Sequence, residues 1–483
     1  MKAAAPAPIG LCDGHFLSLE AVKEAKVSVG VIILAAGQGT RMKSEVPKVL
    51  HSLAGRPMVS WAIGVAQALT DLPPVLIVGH GADTVRDTVG DAATYVEQAE
   101  QLGTGHAVLQ ARDALRGRAD RVVVIYADMP LLTAETLARL VERQQANDGP
   151  ITMLTLVSDN PRGFGFVVRE ADDGVTGIVE EAVATPEQLA IRELNAGVYC
   201  FDAVWLWEYV DQIPLSLPKE EYYLTDLVGM AADQGRRVEA LVVEDVTEVL
   251  GINTRVHLAE AEAVMRGRIN RRWMESGVTM IDPATTYVEA TVRVGQDTVI
   301  LPNTMLRGET VVGGGCRIGP NTVIEDSVIG DGCRVVASFV EQAAMEKGSD
   351  VGPFGHLRRG ARLGAGAHMG NFGEIKNATL GPGAKMGHFS YLGDADVGAG
   401  ANIGAGTITC NYDGKRKHHT TIGEGAFIGS DTMLIAPIRV GRGAKTGAGA
   451  VVTRDVPDGG LAYGVPARLR EEQEPEGESD EDL

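Results

Sequence analysis

Aromatic side chains are scarce in this chain: Phe, Tyr and Trp make up 5% of 483 residues. A sequence so poor in rings suits a thin, repetitive architecture better than one bulky core, and its length exceeds what a single core holds. Cysteine is sparse as well. Cys12, Cys200, Cys316, Cys333 and Cys410 are scattered, odd in number and without a C-x-x-C pair. That argues against a disulfide framework or a zinc site and for a reducing, cytoplasmic compartment. No apolar run approaches the roughly 18 residues of a membrane span. Residues 1–26 lack the apolar stretch of a secretory signal and read as an N-terminal extension. Positive charge is in deficit, with 44 Lys and Arg against 64 Asp and Glu, a net charge of -20. This balance argues against nucleic-acid binding. Residues 471–483 are almost wholly acidic, cannot bury apolar surface, and are expected to form a solvated tail.

What the chain has in quantity is glycine, 60 residues of it, in two kinds of text. Over residues 27–252, short apolar runs alternate with helical patterns. Val27 to Leu34, Val75 to Val78 and Val122 to Tyr126 are the runs, with Pro57 to Leu69 and Ala107 to Leu115 between them. Apolar strands alternating with helices predict a parallel sheet covered on both faces, with ligands beyond the C-terminal strand ends. Residues 253–276 read as a linking helix.

From residue 277 to 470 the period changes to six. Val294, Ile300, Leu306, Val312, Ile318 and Ile324 form one run, and Met345, Val351, Leu357, Leu363, Met369 and Ile375 a second. Leu380, Met386 and Leu392, then Ile422, Ile428, Leu434 and Val440, continue it. Six fits neither a free helix nor a hairpin. It is the mark of a parallel β-helix, in which each hexapeptide forms one side of a coil. A disordered glycine-rich tract would need no such register.

The first chemical signal follows the first apolar run: Leu34-Ala35-Ala36-Gly37-Gln38-Gly39-Thr40-Arg41-Met42, then Pro47-Lys48. Two glycines let backbone N–H groups approach an anion, and Arg41 and Lys48 add charge beside them. The string is neither a Walker loop nor the dinucleotide fingerprint. Asp128, at the end of a strand, and Asn253, in Gly251-Ile252-Asn253, would each alone read as helix caps. The second signal is a set of polar residues inside the six-residue text: Arg358, Lys376, His388, Tyr391, Asn402 and Asn411-Tyr412. It runs into Lys415-Arg416-Lys417-His418-His419, which breaks the hexad and predicts a loop.

The first string closely resembles the signature of sugar-1-phosphate nucleotidylyltransferases, and the hexads resemble left-handed β-helix acyltransferases. Together, over roughly residues 28–470, they resemble the bacterial bifunctional N-acetylglucosamine-1-phosphate uridylyltransferase/glucosamine-1-phosphate N-acetyltransferases. The resemblance implies a Rossmann-like α/β nucleotidyltransferase domain followed by a left-handed parallel β-helix, assembled as a homotrimer. It implies acetylation of glucosamine-1-phosphate by acetyl-CoA, then Mg²⁺-dependent uridylyl transfer from UTP to N-acetylglucosamine-1-phosphate. The product would feed peptidoglycan and lipopolysaccharide precursors.

By the same resemblance, Leu34, Ala35, Ala36, Gly37, Gly39, Thr40, Lys48, Gln98, Gly103, Thr104 and Tyr126 hold the nucleotide. Gly165, Glu180 and Asn195 contact the sugar phosphate, Asp128 and Asn253 hold Mg²⁺, and Arg41 and Lys48 neutralise the reacting phosphates. In the second half His388 is the general base, a role that suits an imidazole. Arg358, Lys376, Tyr391 and Asn402 bind the sugar phosphate. Ala405, Asn411, Tyr412, Ser430 and Ala448 line the acetyl-CoA site, and Lys417 faces CoA phosphates.

The chain departs from the family pattern at Ala127 (usually Gly), Phe166 (Arg), Ala182 (Lys), Arg359 (Pro) and Gly464 (a CoA-binding Arg). Phe166 and Ala182 remove positive charge expected near the sugar phosphate. Arg468 and Arg470 are the candidates to replace the Arg missing at Gly464. The alternative is a single-activity nucleotidylyltransferase whose β-helix serves assembly or regulation.

Overall fold

The computed structural model of the chain describes residues 27–170, 173–217 and 220–469. The N-terminal extension, the acidic tail and Arg470 lie outside the described residues, as does the side chain of Ala182. Two compact units divide between Val264 and Met265, and each is described by itself.

The first unit is built on a twisted sheet ordered 238–242, 151–157, 193–202, 121–126, 29–34, 75–78, 94–97. The apolar runs form its centre. Val29–Leu34 and Val75–Val78 are buried along their whole length, as valine- and isoleucine-rich strands covered on both faces must be. Helices cover the two faces: Met58–Leu69 and Ala134–Ala146 on one, Thr104–Gln110, Ala203–Tyr209 and Asp226–Asp233 on the other.

Two expectations need correction. The sheet is mixed, because Glu193–Asp202 runs antiparallel to both Arg121–Tyr126 and Ile151–Val157. A strand buried on both faces carries the same apolar text in either direction, so composition could not tell. The pattern Ala107 to Leu115 is two short helices, Thr104–Gln110 and Arg112–Leu115, broken at Ala111.

The long helix is Arg255–Glu275. Its first half belongs to the first unit, where Glu262 accepts the Ala54 N–H at 2.9 Å and Glu260 pairs with Arg162 at 3.1 Å. Its second half belongs to the second unit, where Asn270 donates to the carbonyls of Pro283 and Thr286, each at 2.9 Å. Among the described residues, no helix is long and apolar enough to cross a membrane.

Among the described residues, the second unit is a prism of three sheets of 12, 10 and 9 strands, parallel throughout except for the last strand, Ala467–Leu469. Consecutive strands step from wall to wall, so each pairs with the strand one coil later: Leu306 lies beside Ile324, and Val312 beside Ile329. This is the left-handed parallel β-helix that the resemblance implied. Every aliphatic residue of the six-residue register points inward, from Ile300 at 0% exposure to Val294 at 8%. The break in that register has a simple form. Ile329, Val335 and Val340 continue the buried inner positions, one on each of the three walls. Some sides of these coils are five residues long rather than six, which hides them from a strict period of six.

Candidate functional site

In the first unit the central strands end level, with Leu34 beside both Ile77 and Tyr126. The backbone continues the ladder beyond them: Ala35 donates to Ile77 O at 2.9 Å and Ala127 to Leu34 O at 3.0 Å. The loop after Leu34 and the Asp128 segment are thus fixed side by side. Ile252 N–H donates to Asp128 O at 2.9 Å, which brings Asn253 to the same place. There the Lys48 ammonium bridges the Asp128 carboxylate and the Asn253 amide oxygen, the latter at 2.7 Å.

Gly39 makes this approach possible. Its φ is +63°, and a Cβ there would lie 2.5 Å from the Lys48 Cβ. Any side chain would push the lysine away.

Two adjoining hollows meet at Thr104, Tyr126, Asp128 and Tyr223. The first is lined by Leu34, Ala35, Ala36, Gly37, Gly39, Lys48, Gln98 and Gly103. Gln98, 3% exposed, donates from Nε2 to Gly103 O at 3.0 Å and to His106 Nδ1 at 3.1 Å. A carbonyl can only accept, so the amide nitrogen faces inward and Oε1 is left to accept an N–H from a ligand. Gly103 has φ +101°, and a Cβ there would strike Tyr222 O at 2.6 Å.

The second hollow is lined by Arg41, Arg162, Gly165, Glu180, Asn195, Thr225, Asn253 and His257. Asn195 is already held, donating to Tyr199 Oη at 2.8 Å and accepting from Gly197 N at 2.9 Å. Burial, with Asp128 and Glu180 nearby, pushes the Tyr126 hydroxyl well above its ordinary value, so it stays protonated. Burial likewise raises Tyr223, to about 12.

The expected residues therefore converge, with two differences. Thr40 stands outside the lining of both hollows, and Arg41 borders the second hollow rather than the nucleotide loop's own. Phe166 is 2% exposed and packs in the core, so that position faces no ligand. Ala127 is likewise fully buried, and Arg359 is exposed. Arg162 and His257 were not singled out in the sequence as site residues, because neither sits in a local motif.

In the second unit one wall carries Arg358, Lys376 and Tyr391. Glu374 lies beside Tyr391 and Lys376 beside Gly393. Arg358 pairs with Glu374 at 2.7 Å. Lys417, and then Arg358, hold Lys376 below its ordinary pKa. A cluster that disfavours its own charge is one that gains by binding an anion. Lys417 therefore belongs to this cluster, with Asp394 at 3.9 Å.

Asp394 also accepts from Asn377 at 2.6 Å and Asn411 at 2.5 Å. Gly393 leaves room above it: a Cβ would lie 2.3 Å from Tyr391 Oη and 2.7 Å from Asn411 Nδ2. The predicted loop leaves the coil here. Asp413 ties it down by accepting from Lys415 N and Arg416 N, each at 2.8 Å, and pairing with His418 at 2.7 Å.

His388 stands exposed at the prism corner between Lys385–Met386 and Ser390–Gly393. Met386, Ile403 and Ile428 share one register, and Phe427 sits beside Lys445. His388, Ala405, Ser430 and Ala448 are thus equivalent positions in successive coils, one column along that corner.

Not every expected partner joins them. Asn402 is on the neighbouring wall, between Lys385 and Phe427. Gly464, with φ +92°, lies in a terminal hairpin where Arg468 faces Tyr463. Tyr412 is 62% exposed on the loop.

The MobA-like NTP transferase domain family matches residues 31–176. The bacterial transferase hexapeptide family (six repeats) matches 291–326 and 419–454, on either side of the five-residue steps and the loop. The chain is 49% identical to the bifunctional protein GlmU of Heliobacterium modesticaldum over 89% of its length and 94% of that protein. For the bifunctional protein GlmU of an Exiguobacterium species, identity is 46% over 89% and 96% of the two chains. For that of Pelobacter propionicus it is 44% over 92% and 97%. With both halves matched and nearly the whole length shared, the chain belongs to the family of bifunctional GlmU enzymes, each a nucleotidyltransferase joined to a hexapeptide acyltransferase.

Proposed function

We propose that the protein makes UDP-N-acetylglucosamine in two steps, in the cytoplasm, as a homotrimer held through its β-helix. The observation that carries the reading is Lys48 bridging Asp128 and Asn253 at the junction of the two hollows.

In the first step the β-helix binds glucosamine-1-phosphate through Arg358, Lys376 and Lys417. His388 takes the proton from the sugar nitrogen. That nitrogen attacks the thioester carbonyl of acetyl-CoA, the N–C bond forms, and CoA leaves as its thiolate. Acetyl-CoA lies along the column of Ala405, Ser430 and Ala448, with Asn411 and Tyr412 beside it. Asn402, on the next wall, completes the site where another subunit covers the corner.

In the second step the first hollow holds UTP. Gln98 Oε1 accepts the uracil N–H, and the Gly37–Gly39 backbone faces the phosphates. The sugar phosphate oxygen attacks the α-phosphorus from the second hollow, and pyrophosphate departs.

Asp128 and Asn253 offer a carboxylate and an amide oxygen that already hold an ammonium, a donor set suited to a hard cation. Mg²⁺ bound there would neutralise charge on the phosphate oxygens. Lys48 and Arg41 add fixed positive charge where the transition state gathers negative charge.

The test is direct. The protein is given glucosamine-1-phosphate, acetyl-CoA, UTP and Mg²⁺, and UDP-N-acetylglucosamine is sought. Release of pyrophosphate without acetyl transfer would leave the single-activity alternative standing.

A further inference from the structure

The second hollow must seat a phosphate, yet two of its lining residues, Asp128 and Glu180, are acids. Lys48, against Asp128 and Asn253, lines the first hollow and not the second. Phe166, next to the lining residue Gly165, is buried in the core and brings no charge. The guanidinium groups that line the hollow are those of Arg41 and Arg162. We propose that Arg162 is a binding residue for the phosphate of the sugar 1-phosphate, a reading that rests on the uridylyl transfer proposed above.

Three features of Arg162 support this. Its backbone is left-handed, with φ +48°, a conformation that residues with a side chain rarely adopt. Asn160 holds it there, its Oδ1 accepting the Arg162 N–H at 3.2 Å. A turn that would favour glycine thus keeps an arginine at a backbone cost.

Second, the guanidinium is only lightly held. Among the described residues its one partner is Glu260, through a single Nη1 at 3.1 Å, with both side chains 41% exposed. An exposed pair of this kind is worth little and exchanges readily. Third, the remaining donors form the fork that binds phosphate in a bidentate manner. Glu260 is then a resting partner that a phosphate displaces.

The test uses the full chain and steady-state kinetics. Arg162→Met should raise the KM for N-acetylglucosamine-1-phosphate by about tenfold to a hundredfold, the loss of a charge-assisted bond. The KM for UTP and the rate of acetyl transfer should stay as in the wild type, which shows that the variant folds. Arg162→Lys should recover part of the loss, as a point charge without the fork. Glu260→Gln should lower the same KM by removing the competitor. An unchanged sugar-phosphate KM in Arg162→Met, or an equal rise in the UTP KM, overturns the proposal. Wild-type protein that fails to release pyrophosphate from UTP overturns the parent reading instead.

Discussion

In the sheet unit, Lys48 meets partners 80 and 205 residues away. In the prism, Arg358 reaches Glu374 over 16 residues, and Asn411 reaches Asp394 over 17. Both units gather charged side chains at one place, by different means. The sheet converges distant strand ends at one edge, so its site is a cleft closed within the unit. The prism repeats a short step, so its site is a ridge: His388 and its column stand on an exposed corner, and Asn402 lies around it. A cleft can exclude water unaided. A ridge needs a second surface, and that need is the physical basis of the proposal that the acetyl-transfer site lies between subunits.

This contrast makes the two activities separable, and several changes probe it. Asp128→Ala should cut uridylyl transfer by about 10²–10³ with acetyl transfer intact, as measured by pyrophosphate release and thiol release on one preparation. His388→Ala should do the reverse, by about 10²–10⁴. If either variant lost both activities, the independence of the halves would fail.

Next comes packing. Leu363→Ala empties an inner position that is 0% exposed and should cost about 2–5 kcal/mol. Calorimetry should show the prism transition lowered and the sheet transition unmoved. Gly393→Val should displace Tyr391 and Asn411, at a cost of about 1–3 kcal/mol. Its signature is a higher KM for glucosamine-1-phosphate with uridylyl transfer unaffected.

The smallest effect concerns the loop. The backbone N–H of Arg416 first, then His418, lower the Asp413 carboxyl from 3.8 to about 2. Its ionised form favours the folded loop. The stabilisation is complete above the ordinary value and lost as the pH falls through about 2. An NMR titration of Asp413 should show the depressed midpoint, and Asp413→Asn should remove the dependence.

The same contrast explains what could be read from the text alone. A coil sees only its neighbours, so its inner positions repeat in the sequence, and the aliphatic register gave the prism wherever the sides were six residues long. The sides of five, which bring Ile329 and Val340 to inner positions on two different walls, broke the period and escaped it. In the sheet unit the loop from Leu34 to Met42 was legible because its glycines and charges are adjacent. The reversed direction of Glu193–Asp202 left no trace, since direction is decided by connection and not by composition. Arg162 and His257 were silent for a related reason: they reach the second hollow by the fold and carry no motif. Lys417 was visible as charge, but its place beside Lys376 and Asp394 comes from the fold and not from any local motif.

The terminal hairpin has one more consequence. A wall of parallel strands ends in a row of open peptide groups, which invites a further strand from any source. Here Leu461–Gly464 is the last strand laid parallel on its wall, beside Lys445–Thr446, and Ala467–Leu469 folds back against it in the opposite sense. The turn passes Gly464, with φ +92°, and Pro466, which has no N–H to offer. The reversal leaves this wall with an edge strand only three residues long, and a short edge is a poor template for a strand from another molecule.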